Sequence, residues 1–246
     1  MMQSSFSELF FCQHEFLRGY FGRKIFFDKI YTDRSLETIR EWSADRIENS
    51  KKDIVFYPEK LLALTSGTQP DLNLKIRTLM ADIYSLTIND PFAEVIRKEN
   101  FHITFLAITQ SIYESLEDVA ALSNLKDRFG FVIRNNELKV RDLRLVALPN
   151  QLLLAGTPDN SSIILRQKMW DDLINSEWAS KLISRYQGNT PPDFWHTTIL
   201  RYKSHSLPPL IKDYFLSHCK NRYDGIEGKI NLVLAPYDWH KAKIIC

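Results

Sequence analysis

Residues 194–202 read Phe194-Trp195-His196-Thr197-Thr198-Ile199-Leu200-Arg201-Tyr202, the second of two similar motifs in this chain. The first is Phe101-His102-Ile103-Thr104-Phe105-Leu106-Ala107-Ile108, with the same order of aromatic residue, histidine, spacer, threonine and apolar residue. Both motifs are rich in aromatic and β-branched residues, which favour strands. Because side chains alternate along a strand, the histidine and threonine of each motif share one face, roughly 6.5–7 Å apart. Two such strands facing a common cleft would form a symmetric four-residue site.

Composition indicates a soluble globular protein of one or two domains. The 246 residues are 44% apolar and 25% charged, which is typical of chains that bury a core. Thirty-two basic side chains against thirty acidic ones leave a formal net charge of +2. Such a small charge disfavours a protein that coats long duplex nucleic acid. A small or terminal phosphate is a better match, and we expect a monomer.

The cysteines and the apolar runs indicate the compartment. Cys12, Cys219 and Cys246 are odd in number and form no CxxC pair, so neither a disulfide framework nor a thiolate zinc site is predicted. We find no basic segment followed by an apolar one at the start, and no apolar run as long as a membrane span. The expected location is the cytoplasm, with no membrane partner.

Residues 1–53 are predicted to form a helical extension. The apolar spacing predicts two helices, the second beginning after Asp33 and Ser35, which resemble capping residues. The extension either packs on the core or serves as an interaction element. Residues 54–246 would then form the main domain.

Helices and strands alternate from residue 54 onward, with a first strand at 54–57 or 61–64 and turn residues at Ser66-Gly67. The order of helix, histidine strand, helix and strand pair occurs twice, which predicts a duplicated, bilobal α+β fold with mainly antiparallel sheets flanked by helices. Pro149-Asn150 marks a hairpin or the junction between the two lobes. The remaining predicted elements are helices at 72–86 (capped by Asp71), 111–129 (closed by Gly130), 161–186 and 208–221, and strands at 138–148, 151–156, 230–235 and 242–245.

The paired motifs predict acid–base chemistry on a phosphate. One neutral imidazole can take a proton while a charged one gives a proton, because the ordinary histidine pKa lies near 6.5. Threonine hydroxyls can donate to the phosphate oxygens. A single histidine in a strand is more often a buried structural residue. The pair of matching contexts favours a site that needs no metal and no cofactor.

The remaining histidines have no such context. His14, His205, His218 and His240 are expected at the surface, and no zinc site is predicted around His205.

The two motifs resemble the paired His-x-Ser/Thr motifs of the two-histidine (2H) phosphoesterase superfamily, over roughly residues 54–246 in element order. The superfamily includes 2′-5′ RNA ligase-like proteins, cyclic phosphodiesterases and 2′,5′-phosphodiesterases. The resemblance implies that His102 and His196 are catalytic and that Thr104 and Thr198 bind the phosphate. It also implies that Arg201 contacts the substrate.

Two features depart from the pattern of that superfamily. The spacer Thr197 is polar where an apolar residue is usual, and residues 107–109 do not match the usual end of the first motif. Tyr202, Tyr237 and Trp239 could stack on a base, although such aromatic residues are more often core. We include Tyr202 among the expected substrate-binding residues.

The sequence therefore predicts a metal-independent phosphodiesterase for 2′,3′-cyclic phosphates or 2′-5′-linked nucleotides, with a nucleotide or RNA end as its substrate. Two alternatives remain open. One is an RNA-end or nucleotide-binding module without turnover, and the other is an adaptor that binds its partner through the N-terminal extension.

Overall fold

The computed structural model describes residues 5–44 and 61–246, with the side chains of 22–44 and 61–246. The predicted loop at 48–53 and the strand option at 54–57 lie outside these residues. The helices are α1 (Ser5–Ala44), α2 (Leu74–Thr87), α3 (Leu122–Ile133), α4 (Asn160–Ile174), α5 (Ala179–Tyr186) and α6 (Pro209–His218), with one 3₁₀ turn at Lys98–Asn100. The strands are β1 (Ala63–Thr68), β2 (Ala93–Val95), β3 (Ile103–Ala107), β4 (Glu137–Leu148), β5 (Gln151–Pro158), β6 (His196–Tyr202), β7 (Ile226–Lys229), β8 (Asn231–Ala235) and β9 (Lys243–Ile244).

The strands form two antiparallel sheets. The first sheet has the order β3-β1-β8-β9, and the second has the order β2-β6-β5-β4-β7. In each sheet a histidine strand pairs with the strand that opens its own half of the chain (β3 with β1, β6 with β5), and that strand pairs next with one from the other half (β8 or β4). The predicted duplicated α+β class, with antiparallel sheets flanked by helices, is confirmed.

The turn at Pro149-Asn150, between the two halves of the chain, lies within the second sheet. This turn joins β4 to β5, which pair with each other in the second sheet. It is a hairpin within one sheet, which is one of the two options for this turn, and a lobe junction near residues 149–150 stays a prediction.

Each histidine strand carries a bulge at the same place in its motif. In β3, Leu106 and Thr104 face the consecutive residues Ser66 and Gly67 of β1, so Phe105 is the extra residue. In β6, Leu200 and Thr198 face consecutive residues of β5, so Ile199 is the extra residue. Both extra residues lie three positions after the histidine. A bulge shifts the alternation of side chains by one residue, so a different set of positions faces the cleft beyond it.

Gly67 permits the close approach of β1 to the first motif. A Cβ atom at this position would lie 2.3 Å from the carbonyl oxygen of Ile103. Real Cβ atoms do not approach that closely, so any other residue would push β1 away from β3 beside His102. Ser66 and Gly67 therefore belong to a strand, and the turn predicted there is wrong.

Helix α1 is continuous, so the predicted second helix start at Asp33 and Ser35 is wrong. Asp33 forms an ion pair with Lys29, one turn earlier on the exposed face. The Ser35 hydroxyl accepts from the backbone N–H of Ala147 in β4 at 3.3 Å. Both side chains therefore have partners that are compatible with an unbroken helix, and neither caps one.

The described side chains of α1 attach it to the second sheet. Phe27 and Tyr31 are buried, and the Thr38 hydroxyl donates to the Ala147 carbonyl at 3.0 Å. The Trp42 indole N–H donates to the Pro149 carbonyl at 2.9 Å. From residue 22 to 44 the extension thus packs on the core, which is one of the two options that the sequence left open. A division of the chain at residue 53 stays a prediction.

Three helix boundaries differ from the predicted ones. Helix α2 is capped by Asn73, whose side chain accepts from the Ile76 N–H at 3.0 Å, and not by Asp71. Helix α3 begins at Leu122, because the Asp118 carboxylate accepts from the backbone N–H groups of Glu114 and Ser115 and holds that segment in a turn. Gly130 lies inside α3 and does not end it.

The long helix predicted at 161–186 is two helices, α4 and α5. Between them the Ser176 hydroxyl accepts from the N–H of Trp178, whose side chain is 3% exposed. The buried indole and the local hydrogen bond stabilise a turn that interrupts the helix between Ile174 and Ala179. The short strands β2 and β7 were not predicted, since three or four residues give too little alternation to detect.

Candidate active site

The two histidine strands form opposite walls of one cleft of about 250 Å³ between the sheets. The first wall contributes His102 and Thr104, and the second contributes His196, Thr198 and Arg201. These five are the predicted catalytic and substrate-binding residues apart from Tyr202. The shared parity of histidine and threonine in each motif is what brings the four motif side chains to the same cavity.

Both imidazoles are held in the same way. The Nδ1 atom of His102 lies 2.8 Å from the carbonyl oxygen of Asn100, two residues earlier. The Nδ1 atom of His196 lies 3.3 Å from the carbonyl oxygen of Phe194, again two residues earlier. A carbonyl only accepts, so Nδ1 carries the proton in each ring. The neutral rings then keep the lone pair on Nε2, which is the atom that can take a proton from a reactant.

The surroundings of the two rings differ. His102 is 7% exposed and stacks on the Trp239 indole, with ring centroids 4.5 Å apart and an interplanar angle of 7°. Burial lowers the pKa of His102 to about 3, and the charges of Arg201 and His196 act in the same direction. His196 is less enclosed and meets the Phe194 ring edge-on at 5.0 Å. Burial first, and then Arg201, lower the pKa of His196 as well.

The threonine hydroxyls face the same space. Thr104 and Thr198 are partly exposed side chains that line the cleft. Within the described part of the chain, neither hydroxyl donates to a protein group. Each is therefore positioned to donate to a bound anion.

Arg201 faces the cleft because of the bulge at Ile199. Without the bulge, its parity would place it opposite His196 and Thr198. Its guanidinium lies 3.7 Å from the Glu94 carboxylate and 4.8 Å from the centre of the Tyr237 ring. The Tyr237 hydroxyl donates to Glu94 at 2.6 Å. Burial raises the pKa of Tyr237, and the adjacent Glu94 carboxylate raises it further, so this hydroxyl stays protonated.

Tyr202 does not join the other predicted residues. The same bulge turns its side chain away from the cleft, and its hydroxyl donates to Asp90 at 2.9 Å. Its ring packs near Phe92, with centroids 6.1 Å apart. These contacts attach the end of β6 to the segment around Asp90 and Phe92. The position of Tyr202 does not support the expected contact with substrate.

A second arginine, Arg166, lines the cleft beside the start of the second motif. The Arg166 guanidinium stacks on the Trp195 ring at 3.8 Å and lies 3.1 Å from the Asp193 carboxylate. Burial lowers its pKa, an effect opposed by Asp193. Arg166 is not among the site residues predicted from the sequence.

The loop after β8 supplies two residues that pattern alone did not assign to the site. Tyr237 and Trp239 lie in this loop, and Trp239 adopts a positive φ of 56°. The sequence favoured core positions for both. The local signal was weak because their contacts are to Arg201 and His102, which are 36 and 137 residues away (237 − 201 and 239 − 102).

The remaining histidines lie outside the cleft lining as far as the structure describes them. His218 stacks on Tyr214, and His240 is exposed. Within the described side chains, no group of three His, Cys, Asp or Glu residues is arranged to hold a metal ion. None of the described helices is both long and apolar enough to cross a bilayer.

Comparison with known proteins gives structural matches only. No protein-family model and no curated protein sequence matches the chain. Among solved structures, a phosphoesterase matches with 16% identity and a TM-score of 0.43, covering 74% of this chain and 94% of that one. TT0787 of Thermus thermophilus matches with 13% identity and a TM-score of 0.45, covering 75% and 95%. E. coli LigT complexed with 3′-AMP matches with 17% identity and a TM-score of 0.42, covering 75% and 94%.

The function is therefore argued from the side chains of the cleft.

Proposed function

We propose that this protein is a metal-independent phosphodiesterase of the two-histidine type, acting on 2′,3′-cyclic phosphates or 2′-5′-linked nucleotides. One observation carries the proposal: two His-x-Thr strands line opposite walls of one cleft, and each imidazole is anchored through Nδ1 to the carbonyl two residues earlier. This arrangement presents two Nε2 atoms and two hydroxyls to one small space, which suits a phosphate.

The reaction on a cyclic phosphate needs two proton transfers. One neutral Nε2 takes a proton from water as the water oxygen forms a bond to phosphorus. The bond from phosphorus to the 2′ or 3′ oxygen then breaks, and the other ring, protonated at Nε2, gives its proton to that oxygen. The product is a phosphomonoester with a free hydroxyl, and the next substrate begins after the two rings exchange one proton with solvent.

We assign the base to His102 and the acid to His196. His102 is the more buried ring, and its pKa of about 3 keeps it neutral at physiological pH. His196 is partly exposed, so a bound anionic phosphate can more readily raise its pKa and stabilise the charged form. The Trp239 face covers His102 and keeps water from its ring plane.

Charge that develops on the phosphate would be stabilised by the two threonines and Arg201. Neutral hydroxyl donors and a guanidinium already held by Glu94 and Tyr237 need little rearrangement when substrate binds. Arg166, which also lines the cleft, adds a second positive charge. A cleft with this lining favours a monoanionic diester over a neutral ligand.

The direct test is turnover by pure protein in the presence of EDTA. The substrates are 2′,3′-cyclic mononucleotides, 2′-5′ and 3′-5′ dinucleotides and cyclic dinucleotides, with products separated by chromatography. We expect hydrolysis of a cyclic phosphate or a 2′-5′ linkage with chelator present. Activity that disappears with EDTA and returns with zinc or manganese would replace this mechanism with a metal-assisted one.

The two alternatives have their own signatures. A protein that binds these nucleotides, turns over none of them and retains binding in His196→Ala would be a binding module. Loss of a protein partner on substitution of exposed α1 residues, with turnover retained, would support the adaptor. Deleting the whole extension is a poor test, because Tyr31, Thr38 and Trp42 hydrogen-bond to the second sheet and its removal would expose that surface.

A further inference from the structure

A second cavity of about 790 Å³ lies beside the catalytic cleft. We call it the α2 groove, because its walls are the outer face of α2 on one side and β2 with residues 97–100 on the other. Arg201 lines both the cleft and the groove. Asn100, whose carbonyl holds His102, also lines the groove. A ligand in the cleft therefore has this groove as its neighbour.

The groove presents positive charge that is not engaged elsewhere. Arg77 and Arg97 are exposed, and neither forms an ion pair with a described residue. Lys98 is also exposed, and its Nζ atom lies 3.8 Å from the Glu99 carboxylate. An exposed ion pair at this separation contributes little free energy. These cations lie on both walls, since Arg77 belongs to α2 and the other two follow β2.

The acidic side chains of the groove are already bonded. Asp90 accepts from the Tyr202 hydroxyl, and Asp238 accepts from the backbone N–H of His240. Glu94 is bound by Tyr237 and Arg201. Against these three carboxylates the groove has four cations, Arg77, Arg97, Lys98 and Arg201, so its net charge is positive and favours an anion.

An aromatic ring stands on the same wall. Tyr84 is 55% exposed and lies seven residues after Arg77, so both occupy one face of α2. Ile88, which is 58% exposed, continues this stripe. An exposed ring beside cations is the combination with which proteins hold single-stranded nucleic acid, since the ring stacks on a base and the cations meet phosphates.

We propose that the α2 groove binds the nucleotide chain on the 5′ side of the scissile phosphate, so the substrate is an oligonucleotide end and not a free mononucleotide. This inference rests on the proposed function and adds the substrate class. The phosphate next to the scissile one lies between Arg77 and Arg97, and a base stacks on Tyr84. Arg201, at the wall shared by both cavities, contacts the scissile phosphate.

The test compares two substrates that share one reacting group. One is a 2′,3′-cyclic mononucleotide, and the other is a tetranucleotide ending in the same cyclic phosphate. In the double variant Arg77→Ala/Arg97→Ala, the ratio of kcat/KM for the tetranucleotide to that for the mononucleotide should fall roughly three- to tenfold, as expected for two exposed phosphate contacts. Tyr84→Ala should lower the same ratio. Arg40→Ala, an exposed arginine on α1 outside the groove, is the matched control and should leave the ratio at the wild-type value.

The outcomes separate the groove from the function. A double variant with the wild-type ratio overturns the groove, while turnover by wild type shows that the phosphodiesterase stands. If wild type turns over neither substrate, the function fails, and the groove is tested by binding of a fluorescent tetranucleotide bearing a terminal phosphate. In that assay a Kd raised severalfold by the double variant, with a weaker dependence on salt, supports the groove. An unchanged Kd overturns it.

Discussion

The hydroxyl of Tyr31 is inserted into the sheet directly before the second motif. Gly156 and Trp195 are the next pair of residues after Ala155 and His196 in the β5–β6 ladder. The Gly156 N–H donates to the Trp195 carbonyl at 3.1 Å, as a ladder requires. The return bond is missing: the Trp195 N–H donates to the Tyr31 hydroxyl at 3.2 Å, and that hydroxyl donates to the Gly156 carbonyl at 2.7 Å. Helix α1 therefore sets the separation of the two strands beside His196.

Tyr31→Phe removes this bridge and nothing else. Tyr31 is 1% exposed, so water does not simply replace its hydroxyl. One backbone N–H and one carbonyl would be left unpaired, and each buried polar group without a partner costs about 1–3 kcal/mol. Discounting the longer of the two bonds, we expect a loss of about 2–4 kcal/mol in the free energy of unfolding.

The strands can reduce that cost only by closing the gap. Direct pairing of Trp195 with Gly156 would draw the start of β6 toward β5 and displace His196 from its position. Phe194, which contacts both the Tyr31 ring at 4.9 Å and the His196 ring at 5.0 Å, would move with it. We therefore expect a lower kcat along with the lower stability, because small displacements of a proton-transfer group are costly.

Urea denaturation and steady-state kinetics measure the two effects. Tyr214→Phe is the matched control: it removes a hydroxyl that donates to Asp82 at 3.0 Å in a partly exposed position, and should cost less than about 1 kcal/mol with no change in kcat. A Tyr31→Phe protein as stable and as active as wild type would refute the role assigned to the bridge.

The variants His102→Ala and His196→Ala should each lower kcat by about 10²–10⁴, measured as single-turnover rates. The double variant should lose far less than the product of the two single losses. A folded His196→Ala protein with wild-type turnover excludes the mechanism. Thr104→Ala and Thr198→Ala each remove one donor and should cost up to about 10²–10³ in kcat. Since the folded-state pKa of His102 is about 3 and the unfolded value is near 6.5, the unfolded chain binds more protons between these limits, and stability falls as pH falls through them. His102→Gln should reduce this slope by about 1.4 kcal/mol per pH unit in urea titrations, and an unaltered slope would show that His102 is not buried as a neutral ring. Thr197→Val should leave the free energy of unfolding the same or raise it, because the Thr197 hydroxyl is buried without a hydrogen-bond partner among the described residues; a loss above about 1 kcal/mol would reveal a partner.

The sequence was informative where the determinant is local. Aromatic and β-branched residues around His102 and His196 predict strands, and strand parity places each histidine with its threonine. The α+β class and the antiparallel pairing followed from the repeated order of elements. The polar spacer Thr197, a departure from the usual motif, is 2% exposed, and strand parity places its side chain on the face opposite His196 and Thr198.

Other features depend on residues far apart in the sequence. No local pattern reveals that β6 gains an extra residue at Ile199, because a bulge is defined by the partner strand. That single shift decides that Arg201 and not Tyr202 faces the cleft. The continuity of α1 likewise depends on Ser35 meeting the edge of β4, which only the folded chain reveals.

The two motifs are equivalent in sequence order but have different surroundings. The position five residues after the histidine is Ala107 in the first motif and Arg201 in the second, and both line the cleft behind matching bulges. The small residue leaves room for the Tyr186 hydroxyl, which accepts from the Ala107 N–H at 3.2 Å. Trp239, from the loop after β8, covers His102, whereas His196 meets the edge of the Phe194 ring. The motifs therefore supply two equivalent imidazoles, and the Trp239 indole, which lies outside both motifs, covers His102, the more deeply buried of the two rings. In the proposed mechanism this difference in burial separates the base from the acid.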